Sequence, residues 1–588
     1  MIHCLACQRH YWMALAVFLG TVLPARADDW PVPRAPSREP VPYRFDTKLL
    51  PKVPRAFLED AAACILYSGV NYLIEPDGTV ETITHEITRL NGRKGIENLG
   101  EYRSITYDPS YQKLILNAAR IIKANGTIVS IEPRHVHLRD VSTDFTVYDR
   151  DKQLVISFPN LEVGDIYEVK WTTRGKNDEI GGQFFTRNTF GDDRYPTVKD
   201  EMRIRLPKNK PLRYGAVNGK LEPVIRSDGK YRIYHWSVRN RPELAQDSDR
   251  PSREELRLQV ACSTFDSWQE IGQWKHKLRA DCWKCTPEIS ATVKQITGSL
   301  KTSLEKARAL TYWVRRQIRY ISISSTGRGY TPRLPALVHA SRYGDCKDQA
   351  QLLAVMLKEA GIDVSLVTLG LLDDGQVLQT VPSPWGTHAL LLLQIDGKEH
   401  WIDTTATRAG WNFLPRPDRD RVVYVTKDSE IRLMRTPPLT PEDNKIEQTT
   451  HLHIGPDGTS RSRREMTFHG RAALSRRDEW IETPPGERRR LMTAELLDAN
   501  NRSRLLELKI NEANLVDLDQ PVKAAVDFTI ARHFTGDSAR EGSITDSNVW
   551  SRILAYNLDT DRRLPLHLGT PFESIHRYRI ELPLAHRL

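Results

Sequence analysis

The sequence predicts a multidomain chain: an all-β N-terminal sandwich, an α+β core and a β-rich C-terminal domain. Three observations predict it. Short β-rich runs separated by turn dipeptides fill the first part, a helical block occupies the middle, and β-rich runs resume after a second proline-rich joint. At 588 residues the chain has room for about three or four domains, each able to bury its own core.

The first segment has Arg9, an apolar run from Tyr11 to Leu23 and small residues at Ala25 and Ala27. It reads as a secretory signal over residues 1–27, cut after Ala27, because the run is too short to span a bilayer permanently. The mature chain is therefore expected in the periplasm or secreted, with no integral membrane span. Cleavage removes Arg9 and Arg26 and no acid, so the whole-chain charge of +10 stays mildly positive. Basic blocks interleaved with aromatics are lacking, which argues against nucleic acid as a partner. The prolines from Pro31 to Pro54 predict a stiff, extended leader over residues 28–59.

Residues 60–255 carry the first β-rich domain, with strand-like runs such as ILYSGVNYLI and IYEVKW and turns at Asp77-Gly78, Asn125-Gly126 and Asp228-Gly229. The core is expected over 256–436. Trp268, Ile271, Trp274 and Leu278 fall at helical spacing, and Thr302 with Glu305 forms a capping box before a helix through Tyr320. Residues 437–588 form the last β-rich domain, whose completeness the sequence leaves open. Its opening, Ile454-Gly455-Pro456-Asp457-Gly458-Thr459, echoes Ile74-Glu75-Pro76-Asp77-Gly78-Thr79. The echo marks either a duplicated unit or two hairpins with the same turn chemistry.

Five of the seven cysteines follow the signal: Cys64, Cys262, Cys282, Cys285 and Cys346. In an oxidising compartment an odd number suggests two bridges and one free thiol, with Cys282–Cys285 and Cys64–Cys262 as the expected pairs; the alternative is that all five are reduced and buried. No second Cys or His pair accompanies Cys282 and Cys285 at zinc-site spacing, and Asp373-Asp374 and Asp192-Asp193 lack the spacing of a calcium loop, so neither metal nor cofactor is expected.

The chemistry concentrates in RYGDCKDQAQLLAVMLKEAG, residues 342–361. Ala350, Leu353, Leu357 and Ala360 lie at helical spacing and Gly361 is a stop signal, which places Cys346 in the first turn of a helix. There the unpaired N–H groups and the positive end of the dipole stabilise a thiolate, the nucleophilic form. Gly344 is read as allowing a sharp turn and leaving room for a substrate carbonyl. Downstream, THALLLLQIDGKEHWIDTT reads as a hairpin turning at Asp396-Gly397. In that register Asp403 faces Leu390, so His388 lies on the same face, diagonal to it. Diagonal neighbours are about 7–8 Å apart at Cα, close enough for imidazole and carboxylate to meet. His400 pairs with Leu393 and points to the opposite face. The base is therefore His388, oriented by Asp403.

Cys346 opening a helix within Tyr343-Gly344-Asp345-Cys346-Lys347-Asp348, then His388-Ala389, then Trp401-Ile402-Asp403-Thr404-Thr405, resembles the transglutaminase-like thiol superfamily, and within it an exported bacterial branch with an N-terminal β-rich domain of unknown function. The resemblance implies a papain-like α+β core with a Cys-His-Asp triad. Cys346 would attack an amide carbonyl, His388 would act as general base and then acid, and Asp403 would hold the imidazole tautomer. Thr387 departs from the small residue or Asn expected before the histidine. The backbone N–H of Cys346 is one oxyanion donor; Trp313, Gln317 and Tyr343 are upstream possibilities for a second. Asp348 is read as a first-turn acid, Lys347 as a solvated charge or a thiolate-stabilising one.

The expected function is thiol chemistry on peptide or glutamine amides of a peptide or protein substrate, cell-envelope proteins included, with hydrolysis or acyl transfer completing the reaction. The alternative is a non-catalytic envelope protein-binding module on the same fold.

Overall fold

The computed structural model describes residues 52–100, 102–141, 151–322, 329–534 and 562–582. The signal segment and most of the proline-rich leader lie outside the described residues. The end of that leader is not extended throughout: Arg55–Glu59 forms a short helix entered from Pro54, whose fixed φ suits a helix start.

The N-terminal region is built on an eight-stranded sheet. At one end it packs against a three-stranded sheet that supplies Ile105, Leu154 and Ile156. At the other it packs against a second three-stranded sheet through Met202, Trp236 and Val260. Strand Gln259–Ser263, inside the span expected for the core, pairs with strands Arg213–Val217 and Phe185–Thr189 of this second small sheet.

The repeated turn sequence belongs to a repeated topology. In the first sheet the neighbours run Thr197–Pro207, Ala63–Ile74, Val80–Leu90, Ile166–Gly175 and Gln112–Ile122; the first pair is parallel and the rest are antiparallel. In the C-terminal sheet Glu573–Glu581, Lys445–Ile454, Ser460–Phe468, Val522–Ile530 and Ser503–Ile510 follow the same order with the same directions. Both sheets carry a register shift in the corresponding pair, at Leu116/Ala118 and at Leu505/Glu507. Both leading hairpins use one turn, in which Asp77 or Asp457 accepts from the threonine two residues on and Gly78 or Gly458 takes a positive φ.

What covers the C-terminal sheet differs from the β-rich expectation. Two helices, Gly470–Glu482 and Pro485–Ala499, lay Ala473, Trp480, Met492 and Leu496 on Phe468, Val522 and Val526. Their pattern is disguised because Arg477 and Arg488 occupy buried positions. Arg477 donates to the carbonyls of Asn514, Asp517 and Gln520, and Arg488 to that of Thr483.

The core places helix Cys346–Glu359 against an antiparallel sheet of order Lys398–Ile402, His388–Ile395, Asp363–Leu369, Val422–Lys427 and Glu430–Arg435. The expected helix had one apolar stripe, but every residue from Asp348 to Leu357 is buried. Helices Pro287–Thr297 and Ser303–Gln317 cover the side away from the sheet, so Leu352, Val355 and Met356 are enclosed too. Gly361, at φ 77, ends the helix, with Ile362 N–H returning to the Leu357 carbonyl.

Neither expected disulfide forms; all five described cysteines are free. Cys64 and Cys262 sit in separate apolar clusters, while Cys282 and Cys285 direct their thiols to the carbonyls of Pro332 and Thr286. Burial pushes the Cys64 thiol up to about 12, which makes it inert packing. No helix among the described residues is long and apolar enough to cross a membrane.

Candidate functional site

Cys346 is the first residue of its helix, and the residues around it fix that position. Asp345 is the N-cap: its carboxylate accepts from Asp348 N–H at 3.1 Å, and Asp348 returns a bond to Asp345 N–H at 3.4 Å. Asp348 also accepts from Arg333 N–H at 2.7 Å, which ties the helix start to the preceding loop. Burial, reinforced by the Asp345 charge, pushes the Asp348 carboxyl up to about 6. Lys347 is not a solvated charge; it is largely buried and ion-paired with Asp345. Gly344 has no left-handed backbone. Its missing side chain makes room for Asp348, whose Cβ would lie 2.7 Å from an added Cβ, so the space expected for a substrate carbonyl is filled by the cap.

The hairpin supplies the other two groups. Asp396 and Gly397 turn with φ 51° and 73°, and Leu391 pairs with Ile402, Leu392 with Trp401 and Leu393 with His400. His388 Nε2 lies 3.3 Å from Asp403 Oδ1. The His388 ring also hydrogen-bonds Cys346, so the three residues singled out in the sequence meet. Burial works against a charged imidazole here, but Asp403 and then Cys346 outweigh it and hold His388 well above its ordinary value. Asp403 is itself buried, yet His388 and the Thr405 hydroxyl and N–H bring its carboxyl down to about 2. Arg315, buried in helix Ser303–Gln317, donates to the Asp403 carbonyl at 2.9 and 2.6 Å and anchors the loop from behind. His400 faces away, with its ring 4.9 Å from Trp411.

Two neighbours were missed in the sequence. Asp418, 1% exposed, ends a short turn behind Asp403, and its Oδ2 has no donor around it. Burial and the Asp403 charge push its carboxyl up to about 8, and it is within hydrogen-bonding reach of Asp403. One ligand atom from each of His388, Asp403 and Asp418 lies within 4.8 Å of the others. His388 and the Thr405 hydroxyl and N–H all approach Asp403 through Oδ1. Tyr320 pairs with Gly344 in a short parallel ladder beside the helix start. Partial burial, then the charges of Cys346 and Asp345, push its phenol up to about 12, so it is an O–H donor at neutral pH. Trp313 is stacked on His339 and covered by Arg342, Tyr343 lies under Arg333, and Gln317 is exposed. Thr387 reaches Asp374 through its hydroxyl at 2.5 Å, securing the start of the His388 strand.

The flanking regions touch the core close to this site. Glu179, from the N-terminal region, accepts from Tyr330 N–H at 3.2 Å and Thr331 N–H at 2.6 Å, just before Arg333. On the C-terminal side Asp519 accepts from the Tyr312 hydroxyl at 2.6 Å.

Residues 290–406 match the family model of the transglutaminase-like superfamily, and residues 76–244 match that of a domain of unknown function, DUF3857. Among solved structures, a candidate protease of Parabacteroides distasonis is 16% identical with a TM-score of 0.56, covering 80% of this chain and 93% of that one. A candidate cysteine protease of Cytophaga hutchinsonii is 13% identical over 56% of this chain and 75% of its own; at a TM-score of 0.16 it carries no weight about shape. No curated protein matches the chain.

Proposed function

From a chain whose residues 290–406 belong to the transglutaminase-like superfamily, we propose an exported thiol enzyme that acts on peptide or glutamine amides through a Cys346 thioester. The observation that carries this reading is His388, held between Asp403 at 3.3 Å and Cys346 at a helix N-terminus. In it, the Cys346 proton already resides on His388 when the sulfur attacks the amide carbonyl, and His388 then delivers it to the departing amine. Asp403 stabilises the imidazolium and fixes its tautomer. The backbone N–H of Cys346 has no partner within its own helix and is one donor to the developing oxyanion; the Tyr320 hydroxyl is the second. Water then cleaves the thioester to an acid, or an amine takes the acyl group and forms a new amide. Export is supported by the apolar N-terminal run and small residues before residue 28.

The test is iodoacetamide alkylation of folded protein near pH 6.5, mapped by mass spectrometry. Rapid labelling of Cys346 that drops at least tenfold in His388→Ala supports the enzyme. Equal, slow labelling in both proteins overturns it and leaves a binding module. Incubation with a glutamine-containing protein and a fluorescent primary amine then separates acyl transfer, which incorporates the amine, from hydrolysis, which does not.

A further inference from the structure

Asp418 is in an environment that an ionised carboxylate does not tolerate. It is 1% exposed, Oδ2 has no donor, and the nearest charged acid is Asp403, which His388 and Thr405 hold ionised. The arginines beside it in the chain and behind Asp403 are engaged elsewhere. Arg419, next in the chain, bridges to Asp443 at 3.1 Å; Arg315 spends its guanidinium on the carbonyls of Asp403, Ala409 and Gly410; Arg421 turns to the carbonyls of Gly370, Leu371 and Gly375. The backbone is held independently, since the Asp418 carbonyl accepts from the Thr436 hydroxyl at 2.6 Å. Two carboxyl groups in contact in a buried site cannot both ionise, and the one with hydrogen-bond donors keeps the charge. That one is Asp403.

We infer that Asp418 is a positioning residue for this site: a buried, protonated acid that donates its hydrogen to Asp403 and so fixes the carboxylate that orients His388. The inference rests on the triad reading above. Asp418 acts through Asp403, whose carboxyl it contacts. The chain of contacts runs Cys346, His388, Asp403, Asp418, with a proton between each pair. When Asp418 ionises, Asp403 loses a donor and gains a like charge at contact distance. Because the folded-state value is raised, the stabilisation is complete below the ordinary carboxylate range and is lost as pH rises to about 8.

The test uses the full chain and the variants Asp418→Asn, Asp418→Leu and His388→Ala. Asn keeps an N–H donor toward Asp403 and cannot ionise; Leu keeps the volume and has neither property. The wild-type melting temperature is expected to fall relative to both Asp418 variants between about pH 5 and 8, then run parallel to them. At pH 7, iodoacetamide labelling of Cys346 is expected within twofold of wild type in Asp418→Asn and at least threefold slower in Asp418→Leu. Identical pH dependence of melting in all Asp418 proteins, or wild-type labelling in Asp418→Leu, overturns the inference. Wild-type labelling in His388→Ala overturns the triad reading instead, and the melting comparison still decides whether Asp418 holds its proton.

Discussion

Glu179 of the N-terminal β-rich region accepts a 2.6 Å hydrogen bond from the backbone N–H of Thr331 in the core. It takes a second from Tyr330 N–H, and its own carbonyl accepts from the Trp274 indole at 2.8 Å. Two residues on, Arg333 N–H binds Asp348, which caps the Cys346 helix. The N-terminal region thus braces the loop that leads into the helix start. Glu179→Ala leaves two N–H groups without their acceptor, and an unmet buried donor costs about 1–3 kcal/mol. Thermal unfolding is expected to register a loss of that order, with Cys346 labelling slowed severalfold and partly restored in Glu179→Gln. Unchanged melting and labelling would reduce the contact to incidental packing.

The paired charges of His388 and Asp403 predict a pH dependence of opposite sign at the two ends. Asp403 is lowered to about 2, so its contribution is present above the ordinary carboxylate range near 4 and is lost as pH falls toward 2. His388 is raised, so its contribution is present below about 6.5 and is lost as pH rises through its higher folded value. The stability gap between wild type and Asp403→Asn is therefore widest between about pH 4 and 6.5 and closes on both sides. Removing one partner of a buried pair costs about 3–5 kcal/mol, which denaturant unfolding across that range resolves. A gap constant from pH 2 to 9 would contradict the ion pair.

The parts of the site legible in the sequence were those governed by short-range rules. Helical spacing after Cys346, a stop glycine and a two-residue turn determine where Cys346 begins its helix and which face His388 shares with Asp403. Each is a local backbone property, and the structure has all three. Asp418 and Tyr320 were not legible because both arrive by tertiary packing: Asp418 from a turn beyond the hairpin, Tyr320 through a ladder to Gly344. The helices at Gly470–Glu482 and Pro485–Ala499 were missed because buried arginines stand where the helical pattern calls for apolar residues. The repeated sheet order was visible only as a shared turn, since topology leaves no mark on the intervening strands.

His400 supplies the control that the hairpin geometry demands. It pairs with Leu393 and rests against Trp411 on the face opposite His388. His400→Ala is expected to label at Cys346 within twofold of wild type. A tenfold loss there, with His388→Ala unaffected, would mean that the wrong strand face had been assigned to the base.

Tyr320 separates oxyanion stabilisation from thiol activation. Its hydroxyl stays protonated beside Cys346 because burial and the nearby negative charges push its pKa up to about 12. Alkylation by iodoacetamide displaces iodide at an sp³ carbon and builds no charge on a carbonyl oxygen. Acylation by p-nitrophenyl acetate passes through a tetrahedral oxyanion. Loss of one such donor costs about 10²–10³ in rate in a well-formed site. Tyr320→Phe is expected to label with iodoacetamide as wild type does while its acylation burst with p-nitrophenyl acetate slows at least tenfold. If both rates fall together, Tyr320 acts on the thiol or on packing. If neither changes, the second oxyanion donor belongs to another group.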